Sequence, residues 1–154
     1  MRKHLPIKII SGGQTGVDRA ALDYAIDKSI PCGGWCPKGR KAEDGRIPDR
    51  YPVEEMNTAS YAERTKKNVV GSDATLVIYD RLPDRGTKRT IEECLSLNRP
   101  VLYITFDAED RIQEIRNWLL HYQVRTLNIA GPRESNDPGI HRKSYAFLER
   151  LFGV

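Results

Sequence analysis

This chain of 154 residues has no long apolar run, and its sequence leads us to expect neither a disulfide framework nor a secretion leader. No stretch is long and apolar enough to span a bilayer, and Lys8 interrupts the short apolar segment near the amino terminus. The three cysteines, an odd number, suit a reducing compartment better than a set of disulfide bonds. We therefore expect a cytoplasmic protein with no membrane partner.

The common signatures of hydrolases and of metal sites are also absent. The chain has no Gly-x-Ser-x-Gly motif, and no second cysteine pair accompanies Cys32 and Cys36 to complete a zinc site. The glycines and the proline around these two cysteines disfavour the helix that would align them. We expect no metal bound directly by the protein, and no motif identifies a catalytic residue.

The charge balance is modestly positive, with 25 Lys and Arg against 21 Asp and Glu, a net charge of +4. Such a balance favours anionic partners without requiring a polymer. No basic strand interleaved with aromatic residues suggests stacking on nucleic-acid bases. We therefore expect a phosphorylated small molecule as the partner, rather than a nucleic acid.

Apolar segments of strand length alternate with helical periodicity along the whole chain. Strands are predicted at residues 7–10, Ala74–Tyr79, Val101–Thr105 and 125–129, with a weaker one at 32–36. Helices are predicted from Val17, after Thr87, and over 60–70, 112–119 and 145–152. This alternation is typical of βαβ units. It predicts one α/β domain over residues 1–154, a Rossmann-like doubly wound parallel sheet flanked by helices.

A glycine-rich stretch between the first strand and the first helix is the clearest candidate site. Glycines let backbone N–H groups approach an anion, and the start of a helix attracts negative charge. The spacing is not G-x-G-x-x-G and there is no Walker lysine, so neither standard nucleotide motif applies. The alternative is that Asp18 only complements the helix dipole and Arg19 is solvated. The phosphate-binding residues predicted here are Gly12, Gly13, Gln14, Thr15, Gly16, Asp18 and Arg19.

Two further polar loops follow predicted strands. One leads into a helix that Thr87 is suited to cap, and the other contains a Gly-Pro turn. Because the carboxyl ends of parallel strands meet at one edge of a sheet, these loops should join the glycine-rich stretch. The alternatives are ordinary capping, with a capping box over 90–93, and a turn with solvated charges. The added candidates are Gly86, Thr87, Thr90, Gly131, Arg133 and Ser135.

The segment 31–52 is long for a connection in an α/β unit and carries several glycines, prolines and cations. We interpret it as an ordered lid loop that covers the ring of a ligand with Trp35 and contributes Lys38 and Arg40 to anion binding. The alternative is a solvated, variable loop.

The chain resembles the molybdenum-cofactor carrier proteins, a branch of the Rossmann-like SLOG superfamily. That superfamily also includes the lonely-guy phosphoribohydrolases, related to lysine-decarboxylase-like proteins, and the DNA-processing protein A fold. The similarity extends over nearly the whole chain and rests on residues 12–23, 34–40, 43–45, 47–48, 63–65, 68–69, 72–73 and 130–135. It implies a homo-oligomer that carries or stores a phosphorylated, nucleotide-like ligand. In some members this ligand is molybdenum cofactor (molybdopterin), a pterin with a terminal phosphate.

Two alternative functions remain open. The lonely-guy enzymes use a Pro-Gly-Gly-x-Gly-Thr loop and a nearby glutamate to cleave nucleoside monophosphates, and only residues 85–87 are similar to that loop here. If the protein is an enzyme, we expect an N-glycosidic hydrolase of nucleotides that uses Glu92 or Glu93. The second alternative is a nucleotide-sensing module.

Overall fold

The computed structural model describes residues 6, 8–106 and 111–153. The strands are β1 (Lys8–Ile10), β2 (Cys32–Gly33), β3 (Trp35–Cys36), β4 (Lys41–Ala42), β5 (Gly45–Arg46), β6 (Glu54–Glu55), β7 (Ala74–Tyr79), β8 (Val101–Thr105) and β9 (Thr126–Ala130). The helices are α1 (Val17–Asp27), α2 (Tyr61–Val70), α3 (Arg85–Ser96), α4 (Ile112–His121) and α5 (Ile140–Phe152), with a 3₁₀ turn at Glu134–Asn136.

A parallel sheet of five strands, in the order β2-β1-β9-β7-β8, forms the centre of the fold. Its central strands are almost wholly buried, and β7 reads Ala-Thr-Leu-Val-Ile-Tyr, as expected of a parallel strand covered on both faces. The predicted Rossmann-like α/β architecture is confirmed. Strand β9 enters between β1 and β7, so the last strand of the chain is the middle strand of the sheet.

The two faces of the sheet differ in polarity. Residues such as Leu76 and Leu127 pack with α1, α4 and α5 in the large apolar core. Their neighbours along the strands, Thr75 and Asn128, point to the opposite face, because successive strand residues alternate. Both are buried, at 1% and 3% exposure. Helices α2 and α3 pack against each other there, so the face beneath them is unusually polar.

The segment 31–52 contains its own small core. Ile47, Tyr51 and Val53 pack with Leu22 of α1. Within it β4 and β5 form an antiparallel hairpin, while β3 pairs in parallel with β6, which follows the segment. The Arg40 guanidinium donates hydrogen bonds to four backbone carbonyls of residues 47, 48, 51 and 53, at 2.7 to 3.0 Å. These contacts order the segment from within.

Several predicted boundaries are wrong by short distances. The carboxylate of Asp84, rather than Thr87, caps α3 by accepting the Thr87 N–H at 2.8 Å. Thr87 and Thr90 therefore lie inside the helix, and residues 90–93 do not form a capping box at its start. The predicted strand at 32–36 is two short strands, because Gly34 adopts φ 128° against the Ser11 backbone.

Two further boundaries concern the first and last strands. Strand β9 starts one residue later than predicted, at Thr126, after the Asp73 carboxylate accepts the N–H groups of Arg125 and Thr126. Ile7, predicted as the first strand residue, lies outside the described residues. Across residues 6, 8–106 and 111–153, no helix has both the length and the apolar character that crossing a membrane requires.

Candidate functional site

A cavity of about 250 Å³ opens between α2 and α3, beyond the carboxyl ends of β1, β7 and β9. This volume is close to the lower end of small-ligand sites, roughly 300 Å³. In parallel α/β sheets, ligands bind in this position. Helix α2 forms one wall of the cavity and α3 forms the opposite wall. Strand β9 and the glycine-rich stretch form its floor.

One face of α2 forms the first wall. Tyr61, Arg64, Thr65 and Asn68 line the cavity at the i, i+3, i+4, i+7 spacing of a single helix face. Asn68 fixes this wall, because its side chain accepts the Trp35 N–H at 2.9 Å and donates to the Trp35 carbonyl at 3.0 Å. Both ends of the Asn68 side-chain amide are therefore hydrogen-bonded to the backbone of β3.

A buried ion pair joins this wall to the glycine-rich stretch. Arg64 Nη1 lies 3.1 Å from Asp18 Oδ2, and the two side chains are only 13% and 7% exposed. Burial raises the pKa of Asp18 above its usual range, against the opposing effects of Arg64 and the Gln14 N–H. Within the described residues, the buried Nε of Arg64 has no hydrogen-bond partner.

The start of α3 forms the opposite wall. The first backbone bond of this helix runs from the Lys88 N–H to the Asp84 carbonyl, so the N–H groups of Arg85 and Gly86 precede the helical ladder. A Cβ on Gly86 would meet only Asp84 Oδ1, at 3.8 Å, so the space above this glycine is open. Unpaired N–H groups with open space above them suit an anion.

Asp84 remains ionised beside this opening. Although burial acts in the opposite direction, hydrogen bonds from Asn136 and Thr87 hold the pKa of Asp84 below its usual range. Both carboxylate oxygens are engaged, one by Thr87 and the other by Asn136 at 2.8 Å. Asp84 thus organises the wall and has little capacity left for a ligand.

Three further guanidinium groups, those of Arg85, Arg89 and Arg133, line the same cavity. Arg85 and Arg89 are exposed, whereas Arg133 is half-buried, with Nε 3.6 Å from Glu43 Oε1. The Glu43 carboxylate also accepts hydrogen bonds from Thr15 and Ser135. Despite opposing burial, these bonds hold the pKa of Glu43 below its usual range. Together the three guanidiniums give the cavity a cationic rim.

The structure brings some of the predicted site residues to this cavity and not others. Those that line it are Gly12, Gln14, Asp18, Gly86, Thr90, Gly131 and Arg133. Those that do not line it are Gly13, Thr15, Gly16, Arg19, Trp35, Lys38, Arg40, Thr87 and Ser135.

The residues away from the cavity make contacts within the protein. Arg19 forms a bidentate pair with Asp44, at 2.5 and 2.8 Å. A Cβ on Gly13 would lie 2.8 Å from Ile47, and one on Gly16 would lie 2.3 Å from the Pro132 carbonyl. The glycines at these two positions therefore permit close packing of the chain on itself, whereas Gly86, among the glycines predicted for the site, has open space beside it.

The aromatic residue that lines the cavity is Tyr61, whereas the Trp35 ring lies against the carboxyl end of α2. A Cβ on Gly71 would be 2.5 Å from the Trp35 ring, and Lys67 Nζ lies 5.2 Å from the ring centroid. Lys41 and Arg64 approach the Tyr61 ring, at 4.4 and 5.6 Å from its centroid. Trp35 is not among the residues that line this cavity, so its role as a lid stays a prediction.

Sequence reasoning did not place several cavity residues in the site: Tyr61, Arg64, Thr65, Asn68, Asp84, Arg85, Arg89, Asn128, Ala130 and Asn136. Two signals in the sequence mark some of them. Polar residues and an aromatic residue repeat along one face of α2, and Asn128 interrupts the apolar strand Leu127-Asn128-Ile129. Burying a polar side chain in a parallel strand costs free energy unless the side chain has a hydrogen-bond partner. A polar residue at such a position therefore indicates a structural or functional role.

The parallel sheet, with a polar cavity beyond the carboxyl ends of its central strands, defines a Rossmann-like α/β protein. Residues 9–152 match the circularly permutated YpsA SLOG family, and the chain belongs to this family. This bears out the resemblance to the SLOG superfamily.

The individual proteins that this chain resembles are of two kinds, a carrier protein and two deaminases. The crystal structure of the "Putative molybdenum carrier protein" from Syntrophus aciditrophicus SB is 45% identical, with a TM-score of 0.93, over 97% of this chain and 96% of that chain. The N6-methyl-AMP deaminases of Homo sapiens and Mus musculus are each 27% identical over 92 residues, 56% of this chain. The chain spans only 26% of the length of these two curated relatives. Within the described residues, no group of three or more His, Cys, Asp or Glu side chains could hold a metal ion.

Proposed function

We propose that this protein binds a phosphorylated, nucleotide-like small molecule in the cavity between α2 and α3 and acts as its carrier. The observation that carries the proposal is the convergence of cationic and backbone donors at one wall. Arg85, Arg89 and Arg133 surround the open start of α3, where Gly86 leaves room for an anion. A phosphate group matches this arrangement in charge and in hydrogen-bonding capacity.

Positive charge is concentrated at one side of the cavity, and this predicts how a bound ligand would be oriented. The guanidinium groups of the rim lie at the α3 side, while Asn128 and Ala130 form a floor on the sheet. A phosphate at the rim would leave the rest of the molecule over β9. This favours a ligand with one anionic end and one flat, less charged end, which is the shape of a nucleotide or of a pterin phosphate.

Molybdenum cofactor is the particular cargo we propose, supported by the 45% identity to the "Putative molybdenum carrier protein". The cavity fits the phosphate end of such a cargo, because the donors are cationic and backbone groups. Its lining includes no cysteine or histidine. The protein would therefore hold the cargo through its organic part and its phosphate.

Hydrolysis of a nucleotide glycosidic bond is the weaker alternative. It needs a carboxylate near the ligand, and neither Glu92 nor Glu93 lines the main cavity. Glu92 instead lines an adjacent depression with Lys88, Arg85 and Arg89, the last two of which also line the main cavity. Asp18 and Asp84 do line the cavity, but the first is paired with Arg64 and the second is engaged by Thr87 and Asn136.

Native mass spectrometry of freshly purified protein, followed by release of any bound molecule and elemental analysis for molybdenum, tests the cargo. A pterin phosphate would support the carrier, and a nucleotide would move the proposal to another cargo. Release of free base from AMP during incubation would instead favour the hydrolase.

A charge substitution at Gly86 tests the phosphate site itself. Position 86 tolerates a side chain sterically, and an acidic residue in a first helical turn suits the helix dipole. We therefore expect Gly86→Asp to fold normally and to weaken AMP binding at least tenfold, since a carboxylate would oppose the phosphate. Gly86→Asn is the matched control of equal size without the charge, and it should bind more tightly than Gly86→Asp. Equal calorimetric affinities of the two variants would remove α3 from the site.

A further inference from the structure

The floor of the cavity contains an asparagine on a strand that is otherwise apolar. Asn128 is 3% exposed, lies on the middle strand β9, and pairs in register with Ile10 on β1 and Thr75 on β7. Its side chain lines the cavity from the sheet side. A buried amide at the centre of a sheet is unfavourable unless its polar atoms find partners.

Only one end of this amide is engaged. Asn128 Nδ2 donates to Thr75 Oγ1 at 3.2 Å. Across residues 6, 8–106 and 111–153, Asn128 Oδ1 accepts no hydrogen bond from the protein. The other two asparagines at the cavity differ: Asn68 holds the backbone of Trp35 at both ends of its amide, and Asn136 donates to Asp84. Asn128 is thus buried as a residue but presents an accessible acceptor to the cavity.

Space for a flat group exists next to this acceptor. Ala130 lies two residues along β9 on the same face and also lines the cavity, and its methyl group leaves room above the sheet. The α2 wall supplies Tyr61, and the cationic rim lies on the other side. A ring placed over Ala130 would meet Asn128 Oδ1 with its edge.

We infer that Asn128 selects the ligand by its ring, accepting a hydrogen bond from an exocyclic amino group of a nitrogen heterocycle. This inference rests on the proposed function, because it assumes that the phosphate lies at the α3 wall. The bond from Nδ2 to Thr75 leaves Oδ1 as the end of the amide that is available to the ligand. A ligand without an amino group at this edge would leave Oδ1 buried and unsatisfied, which costs about 1 to 3 kcal/mol, or roughly 5- to 150-fold in affinity.

The test uses two pairs of nucleotides that differ by one exocyclic amino group, together with ribose 5-phosphate. The pairs are AMP with purine riboside 5′-monophosphate, and GMP with IMP. Calorimetry on the wild-type protein should give at least about fivefold tighter binding of the amino-bearing member in at least one pair. Equal affinities within both pairs, or tighter binding of the members without the amino group, would overturn the inference.

Two variants separate recognition by Asn128 from a purely structural role. Asn128→Leu keeps the approximate volume but removes the acceptor, so the preference between paired nucleotides should disappear while ribose 5-phosphate binds as before. Thr75→Val removes the partner of Nδ2 and leaves Oδ1 in place, so it should keep the preference. Loss of the preference in both variants would assign Asn128 to packing and overturn the inference.

The outcomes also separate this inference from the proposed function. If ribose 5-phosphate and all four nucleotides bind equally, and Gly86→Asp weakens all of them, the phosphate site stands and the role of Asn128 fails. If none of the five compounds binds, the inference fails, while the proposed function is decided separately by native mass spectrometry of the purified protein. The comparison within pairs needs no variant, so it remains decisive even if Asn128→Leu does not fold.

Discussion

The guanidinium of Arg64 lies directly against the backbone of Gly12, and a Cβ at position 12 would be 1.6 Å from Arg64 Nη1. This close approach lets Arg64 reach the buried carboxylate of Asp18. Gly12 is therefore needed less for contact with an anion than for the formation of an ion pair between α1 and α2. The pair in turn sets the position of the α2 wall.

Replacement of Gly12 by alanine should displace Arg64 and leave Asp18 without its charge partner. Breaking a buried pair is costly, and we expect the free energy of unfolding to fall by about 2 to 4 kcal/mol. Gly86→Ala is the matched control, because its added methyl group meets open space. It should leave stability unchanged or raise it by up to about 1 kcal/mol. Urea denaturation measures both, and equal effects would contradict the assigned role of Gly12.

Stability at low pH should depend on Asp84. Its pKa in the folded state lies below its usual value of 3.8. Its stabilising contribution is therefore fully present above pH 3.8 and is lost as the pH falls through the folded-state pKa. Asp84→Asn keeps a good N-cap but cannot titrate. The stability of this variant should fall less between about pH 4 and 2 than that of the wild type, as followed by thermal unfolding. Parallel pH profiles would contradict the prediction.

Arg40 should be essential for the segment 31–52 through its four carbonyl contacts. Lysine has one ammonium group and cannot span these acceptors, so Arg40→Lys should lower the free energy of unfolding by about 2 to 3 kcal/mol. Arg46→Lys is the control on the same segment, because Arg46 is exposed and pairs only with Asp49 on the surface. The two variants should differ clearly in chemical denaturation. Similar midpoints would show that the carbonyl contacts contribute little.

The phenol of Tyr51 should resist ionisation. Burial, together with the 2.7 Å hydrogen bond that it donates to Asp23, raises the pKa of Tyr51 to about 12. The wild type and Tyr51→Phe can be titrated in parallel and followed by tyrosinate absorbance. The wild type should show one additional ionisation, that of Tyr51, near pH 12. Assignment to a transition near pH 10 would indicate that the bond to Asp23 is not maintained in solution. Tyr51→Phe should also cost about 1 kcal/mol of stability.

Much of the fold could be predicted because its signals are local. Strand β7 matches its predicted bounds because it is a continuous apolar run, and α1 is recognisable from its apolar stripe. The α3 cap was missed because Thr87 and Asp84 are both acceptable capping residues, and the choice depends on where Asn136 holds the Asp84 carboxylate. The lining of the cavity was only partly predictable: seven candidate residues reach it, from loops that follow strands and from the amino-terminal parts of α1 and α3, and the other candidates do not.

The sequence by itself determined the alternation of strands and helices, the parallel sheet, and the polar loops at its carboxyl edge, because each depends on neighbouring residues. Tertiary structure alone decided which glycine is open to a ligand. Gly12 and Gly13 are packed by Arg64 and Ile47, whereas Gly86 faces empty space. It also paired Arg64 with Asp18, 46 positions away, and joined Asn128 on β9 to Thr75 on β7. Such relationships arise from packing between distant segments, so local patterns in the chain do not contain them.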